Sequence, residues 1–461
     1  MSGQSDTLTL TRRLAARLAR PVDARMRARA ALHVLDWAGC AVAGAPSAAG
    51  QAMTAALAGD GTGACTLVGA GRGASSLTAA MVNGALGNVL EMDDVDKRAI
   101  LHPGPSVIPA ALAACEASGA DAATFLDAVV RGYEAVIALG RAVGPGHYAF
   151  WHNTGTCGPF GAAAAAASVL GLDEWRTAHA LGLAATQASG FWQTRHEPAS
   201  MGKQLHTARA AHAGLAAAQL SAQGFDGPLA ILEGPQGFFA ATCPGANPED
   251  MMADHGAHWL IEQVSFKPWP ACRHAHAAID AALAARAAGI TPDQIKTAEL
   301  VTYGDALTFC DRPQPASVIE AKFSLQHALA ITLMRGEPQL SDFEAEAFND
   351  AAVRTFAARV RVRAGDPYSS AYPARYGAGL SLTLTGGAVC MFDHPDALGD
   401  PENPLSPDQL AAKARRLAVH GGHDDAAAGT LINAALALAK GGSLADFSAA
   451  LARPVQAGAA P

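Results

Sequence analysis

The stretch HEPASMGKQLHTARAAHAGLA, residues 196–216, shows the pattern that dominates this chain. Alanine and other small or apolar residues at helical spacing predict a helix that begins near Lys203. His196, His206 and Arg209 are close to this lysine in sequence. Because only 16% of the residues are charged, a lysine among alanines should have an ionic partner or a ligand. Lys203 is therefore a candidate anion-binding residue.

Length and composition indicate a compact protein with two domains. A chain of 461 residues is too long for one ordinary hydrophobic core, and 50% of the residues are hydrophobic. A net charge of −8 argues against a nucleic-acid partner but allows a small carboxylate ligand. The eight cysteines form no CxxC pair, which is typical of a reduced intracellular chain. Without a secretory signal or a membrane span in the sequence, we expect a cytoplasmic protein with no membrane partner.

Helical patterns surround a region with strand patterns. Upstream of Phe266 we expect helices and no strand of any length. Period-two runs at 297–303, 359–363 and 379–392 then alternate with helical segments, and Gly386-Gly387 divides the last run as in a hairpin. The predicted fold is mainly α: a large all-helical domain from residues 1–266 and 403–461, interrupted by a smaller α+β domain from residues 267–402.

An acidic segment follows one of the predicted helices. Ser75 should cap a helix that continues through Leu90. This helix would deliver four acids at its C-terminal end, namely Glu91, Asp93, Asp94 and Asp96. Like charges at a helix C-terminus oppose the helix dipole and one another, so we expect nearby cations.

Four groups of polar residues could carry chemistry. They are Asp93 and Asp94 with His102; His152 ahead of the turn GTCGPFG at 155–161; Lys203 with His206; and KPWPACRHAH at 267–276, which contains Lys267, Cys272 and Arg273. A lone histidine is more often a hydrogen-bonded structural residue, and an acid pair is more often a helix cap. The hypothesis of a catalytic site therefore depends on all four groups occurring in one chain. The N–H groups of Gly155 and Thr156, at a helix start, could hold a carboxylate.

Three other kinds of site fit the sequence less well. There is no HExxH motif, and His274 and His276 would face apart on a helix, which argues against a metal. The turn at 155–161 lacks the Lys-Ser/Thr of a phosphate loop, and no GxSxG elbow is present. The remaining interpretation is acid–base chemistry on an anionic substrate, in which histidines exchange protons and lysine or arginine binds carboxylates. This chemistry requires no cofactor.

Five motifs in order carry a resemblance to a known family. They are LEMDDVD with LHPG, WHNTGTCGPFGAAAAAASVLGL, ASMGKQLHTARAAHAGL, FKPWPACRHAHAAID and EAKFSLQHALA. They resemble the MmgE/PrpD family, which includes 2-methylcitrate dehydratase, cis-aconitate decarboxylase and iminodisuccinate epimerase, and the similarity covers nearly the whole chain. The resemblance implies a homodimer and a helical domain with a smaller α+β lid, with the active site between the two.

Position by position, the resemblance implies the residues of that site. The set that it implies is Asp93, His102, His152, Lys203 and Lys267. Together with the polar groups described above, the expected catalytic residues are Asp93, His102, His152 and Lys203, and the expected substrate-binding residues are Lys267, Cys272, Arg273, His206, Gly155 and Thr156. Where relatives have a DFDDT-like motif, this chain has EMDDV, so Glu91 replaces the first acid and the threonine is missing. Cys272 stands where the decarboxylase has a histidine, whereas CRHAH is closer to the CRYTH of dehydratases. The segment Arg195-His196-Glu197 matches no family pattern.

We therefore expect a lyase that acts on a small di- or tricarboxylate, most closely a dehydratase of the 2-methylcitrate type. An epimerase or decarboxylase acting on a related skeleton is the alternative among enzymes. A binding protein that keeps the fold without the chemistry is the alternative outside them.

Overall fold

The computed structural model describes residues 8–57, 62–197, 199–253 and 258–455. The chain divides into two compact units, one formed by Met1–Val264 with Ser406–Pro461 and the other by Ser265–Leu405. Helices dominate, and strands are confined to two small sheets in the described part of the chain. The predicted mainly α fold with a smaller α+β region is confirmed. None of the helices within the described ranges is long and apolar enough to cross a membrane.

The N-terminal part of the first unit is a stack of helices. They are α1 (Leu10–Leu18), α2 (Ala24–Gly44), α3 (Ala48–Leu57), α4 (Ser76–Leu86), α5 (Gly104–Ser118), α6 (Ala122–Ala142), α7 (Gly144–Tyr148), α8 (Asn153–Val169), α9 (Glu174–Ala185), α10 (Gly202–Ala222) and α11 (Phe238–Thr242). A short antiparallel pair, β1 (Cys65–Thr66) and β2 (Gly73–Ala74), precedes α4. Short 3-10 helices span Trp192–His196, Pro248–Met252 and Leu260–Gln263. The predicted cap is confirmed, because Ser75 accepts a hydrogen bond from the backbone N–H of Thr78.

Helices α8 and α10 pack closely because their contact surface consists of glycine and alanine. A Cβ atom on Gly158 would lie 2.8 Å from the Ala210 Cβ, and one on Gly214 would lie 2.4 Å from the Ala162 Cβ. Both separations are too short for carbon atoms, so any larger residue at these glycines would push the helices apart. The start of α10, which carries Lys203, is thereby held beside the start of α8.

The second unit packs helices on a four-stranded sheet. Its helices are α12 (His276–Ala287), α13 (Gly304–Cys310), α14 (Val318–Lys322), α15 (Leu325–Arg335), α16 (Ala345–Asn349), α17 (Ala351–Ala357) and α18 (Tyr368–Ala371), and its strands are β3 (Ile295–Thr302), β4 (Val360–Ala364), β5 (Ala378–Leu384) and β6 (Val389–His394). The strand order is β4-β3-β5-β6, in which only β3 and β4 are parallel. The predicted hairpin is confirmed, and Gly387 has a left-handed φ of 89° in its turn.

The chain then returns to the first unit. Its last helices are α19 (Pro407–His420), α20 (Asp425–Ala437) and α21 (Leu444–Ala452). Ser406 and Gln409 form a capping box at the start of α19. This helix packs tightly on α2, because a Cβ atom on Gly39 would lie 3.0 Å from the Cα of Ala414.

The prediction that a helix carries the acidic segment to its end is wrong. Helix α4 ends at Leu86, and residues 87–103, which we call the acid loop, contain no α-helix. Glu91 and Ile100 have left-handed φ angles of 59° and 50°, unusual for residues other than glycine. The four acids are buried and bond to groups on several different elements. A continuous helix could not direct neighbouring carboxylates to all of these partners.

Candidate active site

Asp94 fixes the acid loop to the helices around it. Its carboxylate accepts hydrogen bonds from the Tyr133 hydroxyl at 2.6 Å and from the backbone N–H of Gly104 at 3.0 Å. The Nδ1 atom of His33 lies 2.7 Å from the same carboxylate. Burial raises the pKa of Asp94 to about 6, although the Tyr133 hydrogen bond opposes this shift. With all of these partners on α2, α5 and α6, Asp94 is a structural residue of the loop.

Asp96 fixes the far end of the same loop. Its carboxylate is fully buried and forms a two-point ion pair with Arg141 of α6, with distances of 3.2 Å from Nε and 2.5 Å from Nη2. Its backbone pairs with Leu101 in an isolated antiparallel bridge. Arg141 is therefore one of the cations that the sequence predicts near the acidic segment.

Asp93 and His102 form a carboxylate–imidazole pair within the loop. The Asp93 Oδ2 atom lies 2.9 Å from the His102 Nδ1 atom and accepts a hydrogen bond of 2.7 Å from the Asn88 amide. The same Nδ1 atom lies 3.0 Å from the carbonyl oxygen of Asp94. Two oxygen acceptors at Nδ1 favour a proton on that nitrogen, which leaves Nε2 as the basic nitrogen of the neutral ring. The carboxylate thus sets the tautomer of His102.

His152 and His206 form a second pair of rings. His152 is buried at the N-cap of α8, and its Nδ1 atom lies 3.2 Å from the Nδ1 atom of His206 on α10. Burial, with the charge of Lys203 adding to it, lowers the pKa of His152 well below its ordinary value. The same two causes lower the pKa of His206 to about 4. Both rings are therefore neutral near pH 7, which is the form that can accept a proton.

Lys203 lies beside these histidines and forms an ion pair with Glu91. The ammonium group contacts the Glu91 carboxylate directly, and the two side chains are 18% and 4% exposed. Glu91 is thus the ionic partner that the composition predicted for Lys203. The contact also explains how Glu91 can be buried in the acid loop, because an unpaired carboxylate would lose its hydration without compensation.

Within the first unit the structure brings five of the predicted residues together. His152 interacts electrostatically with His102, Asp93, Lys203 and His206. The backbone N–H of His102 also donates to the Thr154 hydroxyl at 3.0 Å, which ties the acid loop to α8. These five residues lie on three separate segments of the chain, and the close packing of α8 on α10 aligns two of the segments.

Gly155 and Thr156 have structural contacts in place of the predicted carboxylate site. The backbone N–H groups of both residues donate to the carbonyl oxygen of His152, at 2.8 and 3.1 Å. A Cβ atom on Gly155 would lie 3.1 Å from the His206 Cβ, so the glycine allows this histidine to approach. The Thr156 hydroxyl lies 2.8 Å from the Nε2 atom of His147, which is a residue of α7. Neither N–H group is available to a ligand because both are already bonded.

The predicted residues of the second unit lie in a buried segment. Lys267 is 2% exposed and Cys272 is 8% exposed. Arg273 forms an ion pair with Asp400 and donates to the Leu398 carbonyl oxygen at 3.1 Å. Its guanidinium group is therefore engaged by groups of its own unit. For Lys267 and Cys272, the substrate-binding role stays a prediction.

Sequence reasoning missed Trp192, which lies beside the first-unit cluster. The indole ring of Trp192 lies 4.5 Å from the His152 ring, measured between centroids, and the Arg195 guanidinium lies over that indole at 5.7 Å. This arrangement connects the unassigned Arg195-His196-Glu197 segment with His152. Neither the spacing of motifs nor the composition of the sequence indicates Trp192 as a site residue. Among the described residues, no group of three or more histidine, cysteine or acidic side chains is arranged to hold a metal ion.

Comparisons with known proteins agree with this arrangement of the chain. Residues 12–251 match the family model for the MmgE/PrpD N-terminal domain, and residues 269–438 match that for the MmgE/PrpD C-terminal domain. The chain is 27% identical to a cis-aconitate decarboxylase of Mus musculus, over 73% of this chain and 70% of that protein. It is 28% identical to the cis-aconitate decarboxylase of Homo sapiens (73% and 71%) and 26% identical to one of Aspergillus terreus (68% and 69%). The chain belongs to the MmgE/PrpD family.

Proposed function

We propose that this protein is a lyase that acts on a small tricarboxylate. One observation carries the proposal: a buried, neutral His152 lies in the same cluster as the Lys203 cation and the Asp93–His102 pair. A base, an acid and an anion-binding group are the parts that proton transfer beside a carboxylate requires. The family relatives named as cis-aconitate decarboxylases support a tricarboxylate as the substrate.

In this proposal Lys203 binds a substrate carboxylate. Its ammonium group contacts Glu91, and the side chain is 18% exposed, so an incoming carboxylate would share the ammonium group with Glu91. A well-directed donor of this kind contributes about 3 kcal/mol as negative charge develops on the substrate. Burial, together with this positive charge, keeps the pKa of His152 low, so the ring beside the substrate is a free base.

The two histidines divide the proton transfers between them. His152 accepts a proton in its neutral form, and His102 exchanges a proton through Nε2 while Asp93 holds its Nδ1–H. When His102 becomes an imidazolium, the adjacent Asp93 carboxylate offsets the new charge. Asp93 thus orients the His102 ring and offsets its positive charge, while the hydrogen bonds of Asp93 stay in place.

Two kinds of bond cleavage fit this machinery, and each has support. In decarboxylation the C–C bond breaks, CO2 leaves, and the electron pair remains on the substrate carbon until a protonated histidine donates a proton to that carbon. In dehydration one histidine removes a carbon-bound proton and the other protonates the departing hydroxide, so that water leaves. The named relatives favour decarboxylation. Cys272 and the CRHAH run favour dehydration of a 2-methylcitrate-like substrate, as the sequence predicts.

Product analysis in D2O distinguishes these reactions. The protein is incubated with cis-aconitate, citrate and 2-methylcitrate, and the products are followed by mass spectrometry and proton NMR. Loss of CO2 identifies a decarboxylase and loss of water a dehydratase. Deuterium incorporation at carbon with no other change would instead identify an epimerase. The matched variants are His152→Gln, expected to be inactive, and His196→Gln, an exposed control expected to remain active.

No turnover of any of these acids, together with equal binding by both variants, would contradict the proposed function and favour a binding protein. We also propose that the protein is a homodimer, as the family resemblance implies. Light scattering after gel filtration measures this directly, and a monomeric mass would contradict it.

A further inference from the structure

A buried lysine from the C-terminal part of the chain contacts the acid loop. Lys413 of α19 is 1% exposed. Its Nζ atom lies 2.5 Å from the carbonyl oxygen of Met92 and 2.5 Å from the Asp36 carboxylate on α2. The contact with Met92 joins positions 321 residues apart in the sequence. The cation therefore connects α2, α19 and the acid loop at one point.

This contact acts on the peptide group that leads directly into Asp93. The Met92 carbonyl belongs to the planar peptide unit between Met92 and Asp93, so fixing its oxygen fixes the plane from which the Asp93 backbone continues. On the other side, Asp94 is held by Tyr133 and by the backbone N–H of Gly104. Asp93 thus lies between two anchored neighbours, and its carboxylate is directed at His102.

General stability does not explain why a charged pair occupies this position. A buried ion pair is often no more stabilising than apolar side chains of similar volume, because both charges lose their hydration. Burial raises the pKa of Asp36 to about 6 against the opposing charge of Lys413, which shows how strongly the site disfavours charge. Helices α2 and α19 meet closely at Gly39, so the position of the lysine is tightly determined.

We propose that Lys413, neutralised by Asp36, is a positioning residue that holds the Met92–Asp93 peptide so that the Asp93 carboxylate stays aligned with His102. This inference rests on the proposed function, because it assumes that the Asp93–His102 pair takes part in the reaction.

The test replaces the pair with apolar residues of similar volume, in the full-length double variant Asp36→Leu/Lys413→Met. Removing both charges avoids leaving one of them buried alone. We expect kcat to fall about 10- to 100-fold, since a misplacement of about 1 Å can cost that much. KM should change less than about threefold, because Lys203, which provides the substrate binding, lies on α10 outside the acid loop. Hydrogen–deuterium exchange should increase within residues 87–103 and remain unchanged in the rest of the first unit.

Two controls separate the possible outcomes. Phe447→Leu shortens a buried side chain of α21 in the same C-terminal segment, and it should lower the melting temperature while leaving kcat and acid-loop exchange unchanged. If the apolar double variant does not fold, Asp36→Asn/Lys413→Gln removes the same charges with polar side chains, and the same results are expected.

The reference variants are Asp93→Asn and His102→Gln. Normal turnover in both would contradict the proposed function itself, whatever Lys413 does. If both lose activity while a folded charge-free variant at positions 36 and 413 keeps wild-type kcat and wild-type exchange at 87–103, the positioning role of Lys413 is overturned.

Discussion

The Lys203–Glu91 ion pair allows stability and catalysis to be separated by a double-mutant cycle. In Lys203→Met the Glu91 carboxylate, whose side chain is 4% exposed, loses the Lys203 cation. Breaking a buried pair in this way costs about 3–5 kcal/mol of unfolding free energy. Because the Lys203 side chain is 18% exposed and partly hydrated, we expect the lower end, about 3 kcal/mol. The double variant Glu91→Gln/Lys203→Met removes both charges of this pair and should recover most of this loss.

Activity should not recover with stability. If Lys203 binds a substrate carboxylate, its loss removes about 3 kcal/mol of transition-state stabilisation, or about 100-fold in kcat/KM. This loss should be the same in Lys203→Met and in the double variant. Calorimetric melting gives the stability of all four members of the cycle, and initial rates on the substrate identified by product analysis give kcat/KM.

Either of two results would refute this reasoning. A double variant no more stable than Lys203→Met would show that burial of Glu91 is not the source of the destabilisation. A double variant with kcat/KM within about threefold of the wild-type value, well below the effect expected of one charged donor, would show that Lys203 does not bind the substrate.

Further predictions concern the histidines, a glycine and an arginine. Because burial and Lys203 lower the pKa of His152, the acidic limb of kcat/KM should lie below pH 6.5, and a limb above this pH would argue against His152 as the base. The pKa of His206 is lowered to about 4, so the unfolded chain binds a proton at this position at higher pH than the folded chain does. The free energy of unfolding should therefore fall as the pH drops from about 6.5 to 4. His206→Asn should reduce the accompanying fall in melting temperature. Gly155→Ala places a Cβ atom 2.6 Å from a backbone oxygen and should cost about 1–3 kcal/mol, whereas Gly304→Ala, which meets open space, should cost nothing measurable by calorimetry. Arg273→Met leaves the Asp400 carboxylate buried and should lower the melting temperature; a higher KM at unchanged melting temperature would instead support the substrate-binding role predicted from sequence.

Most secondary structure was predictable because its signals are local. Ser75 caps α4, and the alternating run at 379–392 forms the two strands of a hairpin around its Gly-Gly turn. The end of α4 was not predictable, because Leu90 continues the apolar pattern beyond Leu86 and the partners that stop the helix are distant in sequence. Within the helical run at 316–335 the chain forms two helices, α14 and α15, because Ser324 caps α15.

The candidate site was predictable to the extent that its residue types are unusual. A lysine among alanines indicated an ionic partner, and Glu91 was recognised as a departure from the family motif. Lys413 gave no such signal, because on an amphipathic helix it resembles a solvated surface lysine. Its partner Asp36 lies 377 residues away, and only the folded chain shows the contact.

The split organisation of the first unit has a consequence for synthesis on the ribosome. Ser265–Leu405 leaves the exit tunnel as one continuous stretch, whereas the first unit lacks α19 until the whole second unit has been synthesised. During that interval Asp36 has no ammonium partner, and the Met92 carbonyl has no donor from Lys413. Translation order therefore delays the contact between Lys413 and the acid loop, and a nascent chain that stops before α19 would carry Asp93 and His102 without the cation proposed to align them.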